Sequence, residues 1–407
     1  MTTTTRGDEM LALRKARMAA APPILRGGFR PFFLFGGAWA AIALVLWLCA
    51  LLAGLHLPSG FQALAWHRHE MLFGFVGAII SGFLLTAIPN WTGRLPIAGA
   101  PLAALFGLWL AARVAVFFSA TLGLIPAVVL DAGFYGVMAA VCGREVFAAK
   151  NRNKPVVAMV LLLGLADAVD YAAAAGLVAD AEAGIRAGIG LIVLIISVIG
   201  GRVVPSFTRN WLAKQGHKSG LPGQPGRFDQ AAIAVTVLAL LGWVVIPTAA
   251  AVGWALILAG LLQFARLTRW SGWRTWAEPF VAILHVGYLW LPVGLVLLGC
   301  SVVGGAVPRT AAIHALTAGL MGTMILAMMP RATLGHTGHE LKASAATNII
   351  YICVTLGAVL RVATSFGMFG YARGLELAGG FWALSFAIFV AAYGPIIFRS
   401  RRGDPTR

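Results

Sequence analysis

The sequence predicts an all-α, polytopic membrane helix bundle with about 12 transmembrane helices, and three observations carry that prediction. First, 60% of the 407 residues are hydrophobic and 11% are charged, with a mean hydropathy of +0.86. A soluble domain carries about 25% charged residues, so this chain lacks the polar surface to cover itself in water. Second, its apolar residues come in runs of about 20 without the alternation of a strand. A bilayer admits only helices or closed barrels, because every backbone polar group must be satisfied internally. Third, threading the chain across a membrane that many times sorts its positive charge. With the N-terminus inside, Arg68, Arg113, Arg186, Arg309, Arg361 and Arg373 fall outside, and the other 25 of the 31 Lys and Arg fall inside. The positive-inside rule asks for such an asymmetry, and a wrong number of spans would scramble it. Both termini are therefore expected to be cytoplasmic. The net charge of +17 reads as helix-end charge facing the cytoplasm, so the expected partner is membrane lipid and no nucleic acid.

Residues 1–32 are polar and basic and read as a cytoplasmic N-terminal segment. The apolar stretch from Phe33 to Leu55 is too long for a signal-peptide core and reads as a retained first span. The following spans are expected at 67–90, 98–118, 122–147, 155–178 and 184–208. A Gly- and Pro-rich cytoplasmic loop, 211–228, comes next. Six more spans follow, at 230–248, 250–268, 277–301, 310–330, 345–366 and 375–398, and then a cytoplasmic tail, 399–407. The stretch 33–398 thus forms a single membrane domain of two halves, 33–210 and 229–398. Pro247 separates two short spans that could instead form a re-entrant pair. The sequence offers no clear internal repeat.

Cys49, Cys142, Cys300 and Cys353 lie singly in apolar segments. With no Cys-x-x-Cys, neither covalent c-type haem nor a thiolate zinc site is expected, and the four read as buried thiols. Histidine is the more informative residue. The densest cluster is Trp66-His67-Arg68-His69-Glu70-Met71, where the second span begins, and ionisable groups at membrane depth are costly enough to mark function. In the orientation above, His67 and His69 sit at the outer mouth of span two and His314 enters span ten at the same level. His285 lies near mid-depth in span nine, and His336 lies at the inner end of span ten. At α-helical spacing His67, Glu70, Met71, Gly74 and Ala78 share a face. That face offers an imidazole, a carboxylate and a thioether, then small residues against which a flat macrocycle could lie. Ordinary close packing of membrane helices uses the same small residues. His69 lies about 200° round from His67, so either the helix starts after His67 or the two serve different sites.

In span ten His314, Thr317, Met321, Met324, Met328 and Arg331 form a stripe. A Met stripe ordinarily means core, but a histidine at its outer end does not. In span nine Glu278, His285 and Tyr288 share a face over about 15 Å. They suit a proton path or a metal ligand beside a phenol, unless His285 merely bonds a neighbouring carbonyl. Asp131, Asp167 and Asp170 also fall within spans and suit either pairing with Arg113 or Arg186 or a proton site. The candidate catalytic residues are Glu70, Tyr288 and Glu278. The candidate cofactor ligands are His67, His69, His314 and Met71, and the candidate metal ligands are His67, His69, His285, His314 and His336. Neutral imidazole suits haem iron, copper or zinc, and facing helices can supply axial histidines. No phosphate-binding loop, dinucleotide fingerprint or Ser-His-Asp arrangement is present.

Several ordered blocks resemble the NnrS family of bacterial membrane proteins. They are Arg30-Pro31-Phe32-Phe33-Leu34-Phe35-Gly36, Trp66-His67-x-His69-Glu70-Met71-x-Phe73-Gly74, Gly82-Phe83-Leu84-Leu85-Thr86-Ala87 with Asn90-Trp91-Thr92-Gly93, and His314-Ala315-x-Thr317-x-Gly319-x-x-Gly322-x-Met324 running into Arg331-x-x-x-Gly335-His336-Thr337-Gly338. The resemblance implies an inner-membrane protein containing haem and copper, linked to nitric oxide metabolism and tolerance of nitrosative stress. Because His67 or His69 and His314 lie at one membrane level on separate helices, they are the expected axial ligands of a b-type haem (haem b). An oxidoreductase reading then takes nitric oxide as the small-molecule substrate and a quinol or other electron donor. The adjacent His-His pair of haem–copper oxidases is absent. Two alternatives stand beside this reading. One is a 12-helix secondary transporter, although Trp91-Thr92-Gly93-Arg94-Leu95-Pro96 stands where major-facilitator proteins carry an acidic–basic Gly-rich pattern. The other is a metal or haem sensor without turnover.

Overall fold

The computed structural model describes residues 20–402, preceded by residues 9, 12, 13 and 16. Among these every regular element is a helix, and twelve helices are long and apolar enough to cross a membrane. They are α1 (Phe29–Ala53), α2 (Ala63–Thr92), α3 (Ala100–Phe117), α4 (Leu124–Ala148), α5 (Lys154–Ala174), α6 (Ala183–Lys214), α7 (Arg227–Val245), α8 (Ala250–Thr268), α9 (Pro279–Val303), α10 (Arg309–His336), α11 (Ala345–Ser365) and α12 (Tyr371–Ile397). At 1.5 Å per residue, about 20 residues cover the hydrocarbon core, and the shortest of these helices has 18. Large apolar side chains such as Leu161, Leu165, Leu238 and Val245 stay exposed on the helix surfaces, as lipid-facing positions should.

Three boundaries have local causes. α1 begins at Phe29, a turn before the expected start, because Pro31 is tolerated in a first turn whose N–H groups have no helical partner. α7 and α8 are separate helices of 19 residues each. The break between them comes from Pro247, which disfavours helical backbone at Ile246, and Ile246 sits at φ −132°, ψ 65°. α6 runs on to Lys214 and takes up the first residues of the 211–228 connection.

The chain forms two compact units. The first comprises residues up to Ile185 together with Ala332–Glu340 and Val390–Arg407, so it holds α1 to α5 and the last turns of α10 and α12. Within it α1 packs on α2, with Phe32 and Phe33 over Gly82, and Ala78 and Ile79 over Gly36. The buried Arg30 guanidinium donates to the carbonyls of Ile397 and Arg399 and so caps the end of α12. The second unit comprises Arg186–Arg331 and Leu341–Phe389. There α8 and α9 approach closely enough that a side chain at Gly299 would meet the backbone of Gly253.

Both α2 and α10 change winding partway. α2 is π-helical over Glu70–Val76 and α10 over Ala315–Met321. Such insertions in α-helices often coincide with functional sites. They also rotate the helix beyond them, so faces read at α-helical spacing through these stretches do not continue as drawn.

Candidate functional site

In the first unit the π-helical start of α2 sets two ionisable residues into the core. His69 ends the α-helical turn and Glu70 opens the π-helical one, and both are fully buried. His69 Nδ1 lies 2.9 Å from Asp170 Oδ2, and its Nε2 lies 3.0 Å from Asp131 Oδ2 and 3.6 Å from Asp167 Oδ1. Glu70 Oε2 accepts from Trp39 Nε1 at 2.6 Å and from Arg113 Nη1 at 2.7 Å. Arg113 Nη2 donates to Asp131 Oδ1, and the Tyr171 hydroxyl donates to Asp131 Oδ2 at 3.3 Å. Five helices, α1 to α5, thus converge on one polar cluster.

Two glycines make room for it. A Cβ on Gly74 would collide with Glu70 and Arg113, and one on Gly77 would collide with the Tyr135 hydroxyl. The altered winding also offers carbonyls to side chains: Phe73 O accepts from Tyr135 at 2.7 Å and Gly74 O from Trp109 at 2.9 Å.

The cluster is short of positive charge. It holds four carboxylates (Glu70, Asp131, Asp167, Asp170) against one guanidinium and one imidazole. Ions in such a setting must be compensated by protons, counter-charges or a metal. Asp167 is 0% exposed, and neither of its oxygens has a hydrogen-bond partner. Glu70 Oε1 is likewise buried without one. Among the described residues, His69, Asp131 and Asp167 form the one group of three His, Cys, Asp or Glu whose donor atoms gather within 4.8 Å.

The other sequence-predicted residues occupy different settings. The His67 ring stacks on Trp47, with centroids 4.0 Å apart, so His67 and His69 do serve different surroundings. Met71 is half-buried on the π-helical turn. In the second unit, His314 Nδ1 lies 2.7 Å from the carbonyl of Thr310 one turn back. A carbonyl only accepts, so Nδ1 carries the proton and Nε2 keeps its lone pair. His285 Nε2 lies 2.8 Å from the Thr208 hydroxyl, which itself donates to Val204 O; the imidazole is therefore the donor. Glu278 caps the start of α9, accepting from Phe280 N. His336, in the part of α10 that belongs to the first unit, packs on Phe29.

Tyr288 joins a buried network that sequence reasoning missed. Arg266 donates to Asp229 at 2.8 Å, to Ser197 O at 2.9 Å and to the Tyr288 hydroxyl at 3.0 Å. Tyr288 in turn donates to Gln263 Oε1 at 2.9 Å, and the Gln263 amide donates to Ser197 and Thr236. Every member of this network has partners, which is the pattern of a structural core.

A shared spacing in the sequence marks both altered helices. His69-x4-Gly74-x2-Gly77 and His314-x4-Gly319-x2-Gly322 match, and each encloses a π-helical segment. The pairing of Arg113 with Asp131 is one of the two alternatives the sequence allows; the engagement of His69 by Asp170 and Asp131 is not among them.

Among curated proteins none matches the chain. The family whose sequence profile does match is described as NnrS protein, and the match runs over residues 23–401. That span includes all twelve membrane helices, the polar cluster and both His-x4-Gly-x2-Gly segments, and by it the chain belongs to the NnrS family.

Proposed function

We propose that this chain is a haem-carrying redox protein of the bacterial inner membrane, with both termini cytoplasmic, acting in nitric oxide metabolism and tolerance of nitrosative stress. Family membership supports the biological setting. The observation that carries the cofactor assignment is the state of His314. Metal-bound histidines characteristically donate one ring N–H to a carbonyl or carboxylate and ligate through the other nitrogen. His314 has that arrangement, its Nδ1 engaged by Thr310 O at 2.7 Å and its Nε2 left with a lone pair. We assign it as a residue that would hold the haem iron, and His67 on Trp47 as a second candidate. Both nitrogens of His69 face carboxylates, which suits it less to haem. Bound haem would supply an iron that takes nitric oxide and exchanges electrons with a quinol or another membrane donor.

Copper fits less well. It favours two or three imidazoles, with thioether or thiolate for Cu(I), and the one three-donor group among the described residues has a single imidazole and two carboxylates. We therefore derive no step through copper.

The test is the visible spectrum of protein purified in detergent. Wild-type protein is expected to show a b-type Soret band. His314→Ala should lose or shift it, and cells carrying that variant should lose nitric oxide tolerance. Wild-type haem content in a His67→Ala/His314→Ala protein would overturn the ligand assignment. A colourless wild-type protein would overturn the haem reading and leave the transporter reading in its place.

A further inference from the structure

We infer that the polar cluster of the first unit is a binding site for one divalent cation of the zinc, manganese or ferrous class, held by His69 Nε2 and the carboxylates of Asp131 and Asp167. This site is separate from the haem assignment and does not depend on it.

Four observations converge. The three donors come from three helices, α2, α4 and α5, and lie within 4.8 Å of one another. Their separations suit a shared ion. Atoms about 2.1 Å from one metal and about 90–110° apart about it lie roughly 3.0–3.4 Å from each other. Here Nε2 lies 3.0 Å from Asp131, within that range, and 3.6 Å from Asp167, a few tenths of an ångström beyond it. The imidazole is oriented for the task, since Asp170 at 2.9 Å from Nδ1 makes the carboxylate–histidine arrangement that fixes the tautomer of a metal ligand. Asp167 supplies the decisive point. Its carboxylate is 0% exposed, neither oxygen has a hydrogen-bond partner, and one points at His69 Nε2. A buried carboxylate without donors is costly, and a cation among these oxygens removes that cost while offsetting the excess of acidic groups.

The donor set also selects the ion. One imidazole and two carboxylates, with no thiolate or thioether among the three, favour hard or borderline divalent ions over Cu(I). Arg113 donates to Asp131 Oδ1 and Tyr171 to the Oδ2 that faces His69, and together they hold the carboxylate in place.

The experiment is metal analysis of the full chain, purified in detergent from cells grown with zinc, manganese and iron, with haem measured in the same samples. Wild-type protein is expected to carry ~1 such ion per chain beyond haem iron. Asp167→Asn keeps the side chain's shape and removes its charge; it should lose at least ten-fold of that content with haem unchanged. Asp170→Asn should weaken retention by about 10–100-fold, as loss of an orienting carboxylate does. A wild-type protein with no zinc, manganese or non-haem iron would overturn the inference without any variant having to fold. So would copper in their place, or an Asp167→Asn protein that keeps the full complement. Absence of haem with the ion present would leave this inference standing and sink only the haem reading.

Discussion

The π-helical segments of α2 and α10 each come directly after a histidine and keep glycine five and eight residues beyond it, yet their surroundings differ in kind. Around the first, the glycines admit Arg113 and the Tyr135 hydroxyl, and the histidine is walled in by carboxylates. Around the second, the same two positions admit the rings of Trp290 and Trp382, and the histidine turns one nitrogen onto its own helix. Winding and glycine spacing are thus a backbone device that lets large side chains reach the helix axis. The chemistry is set by what reaches in: ions in one unit, indole rings in the other.

The sharpest way to break that comparison is to remove the central cation. Arg113→Leu leaves Glu70 buried without its counter-charge and takes from Asp131 one of its two partners of opposite charge, and taking one partner from a buried ion pair costs about 3–5 kcal/mol. In protein prepared without haem, so that loss of a bound ligand does not enter the comparison, His314→Ala deletes a half-buried ring whose bond goes to its own helix, with an expected cost of about 1 kcal/mol or less. Thermal unfolding in detergent should separate the two widely. Equal melting temperatures would mean that the cluster is not electrostatically sustained.

A smaller effect separates a polar from an aromatic neighbour. Gly77→Ala and Gly319→Ala each force a side chain to move, at a cost of roughly 1–3 kcal/mol. At Gly77 the obstacle is the Tyr135 hydroxyl, so adding Tyr135→Phe should recover much of the loss, a non-additive pair. At Gly319 the obstacle is the Trp290 ring itself, which no trimming of a polar atom relieves. Strict additivity at Gly77 and Tyr135 would refute the close approach.

The two units also differ in how legible they are in the sequence, because each feature leaves its own kind of signal. The twelve helices are readable because hydropathy runs and charge asymmetry are local and summed over many residues. Asp131, Asp167 and Asp170 are visible as costly residues within spans, since a carboxylate in an apolar run stands out. Their meeting at His69 is not, because it depends on which faces of α2, α4 and α5 turn inward, and a face of α2 drawn at α-helical spacing crosses a segment that winds differently. Asp229, Gln263 and Arg266 escape notice for a related reason. Asp229 and Arg266 lie near the ends of α7 and α8, where charge reads as membrane-interface charge, and only the fold brings them to Tyr288.

The smallest expected effect isolates one hydrogen bond. Trp109 and Trp382 each lie beside a π-helical segment, are 2% and 5% exposed, and donate Nε1–H to a backbone carbonyl. The Trp109 bond to Gly74 O is 2.9 Å long, at the usual optimum, whereas the Trp382 bond to Ala318 O is 3.3 Å, past the ordinary range. Replacing either by Phe removes similar ring area, so the packing loss is common to both and cancels in the difference. What remains is the bond and the carbonyl it leaves unsatisfied, worth about 1 kcal/mol for the well-formed case. Trp109→Phe should therefore be the more destabilising by about that amount. Equal losses would mean that the carbonyls of the first π-helical segment are satisfied without the indole, and that the polar character of its surroundings rests on the ionic cluster alone.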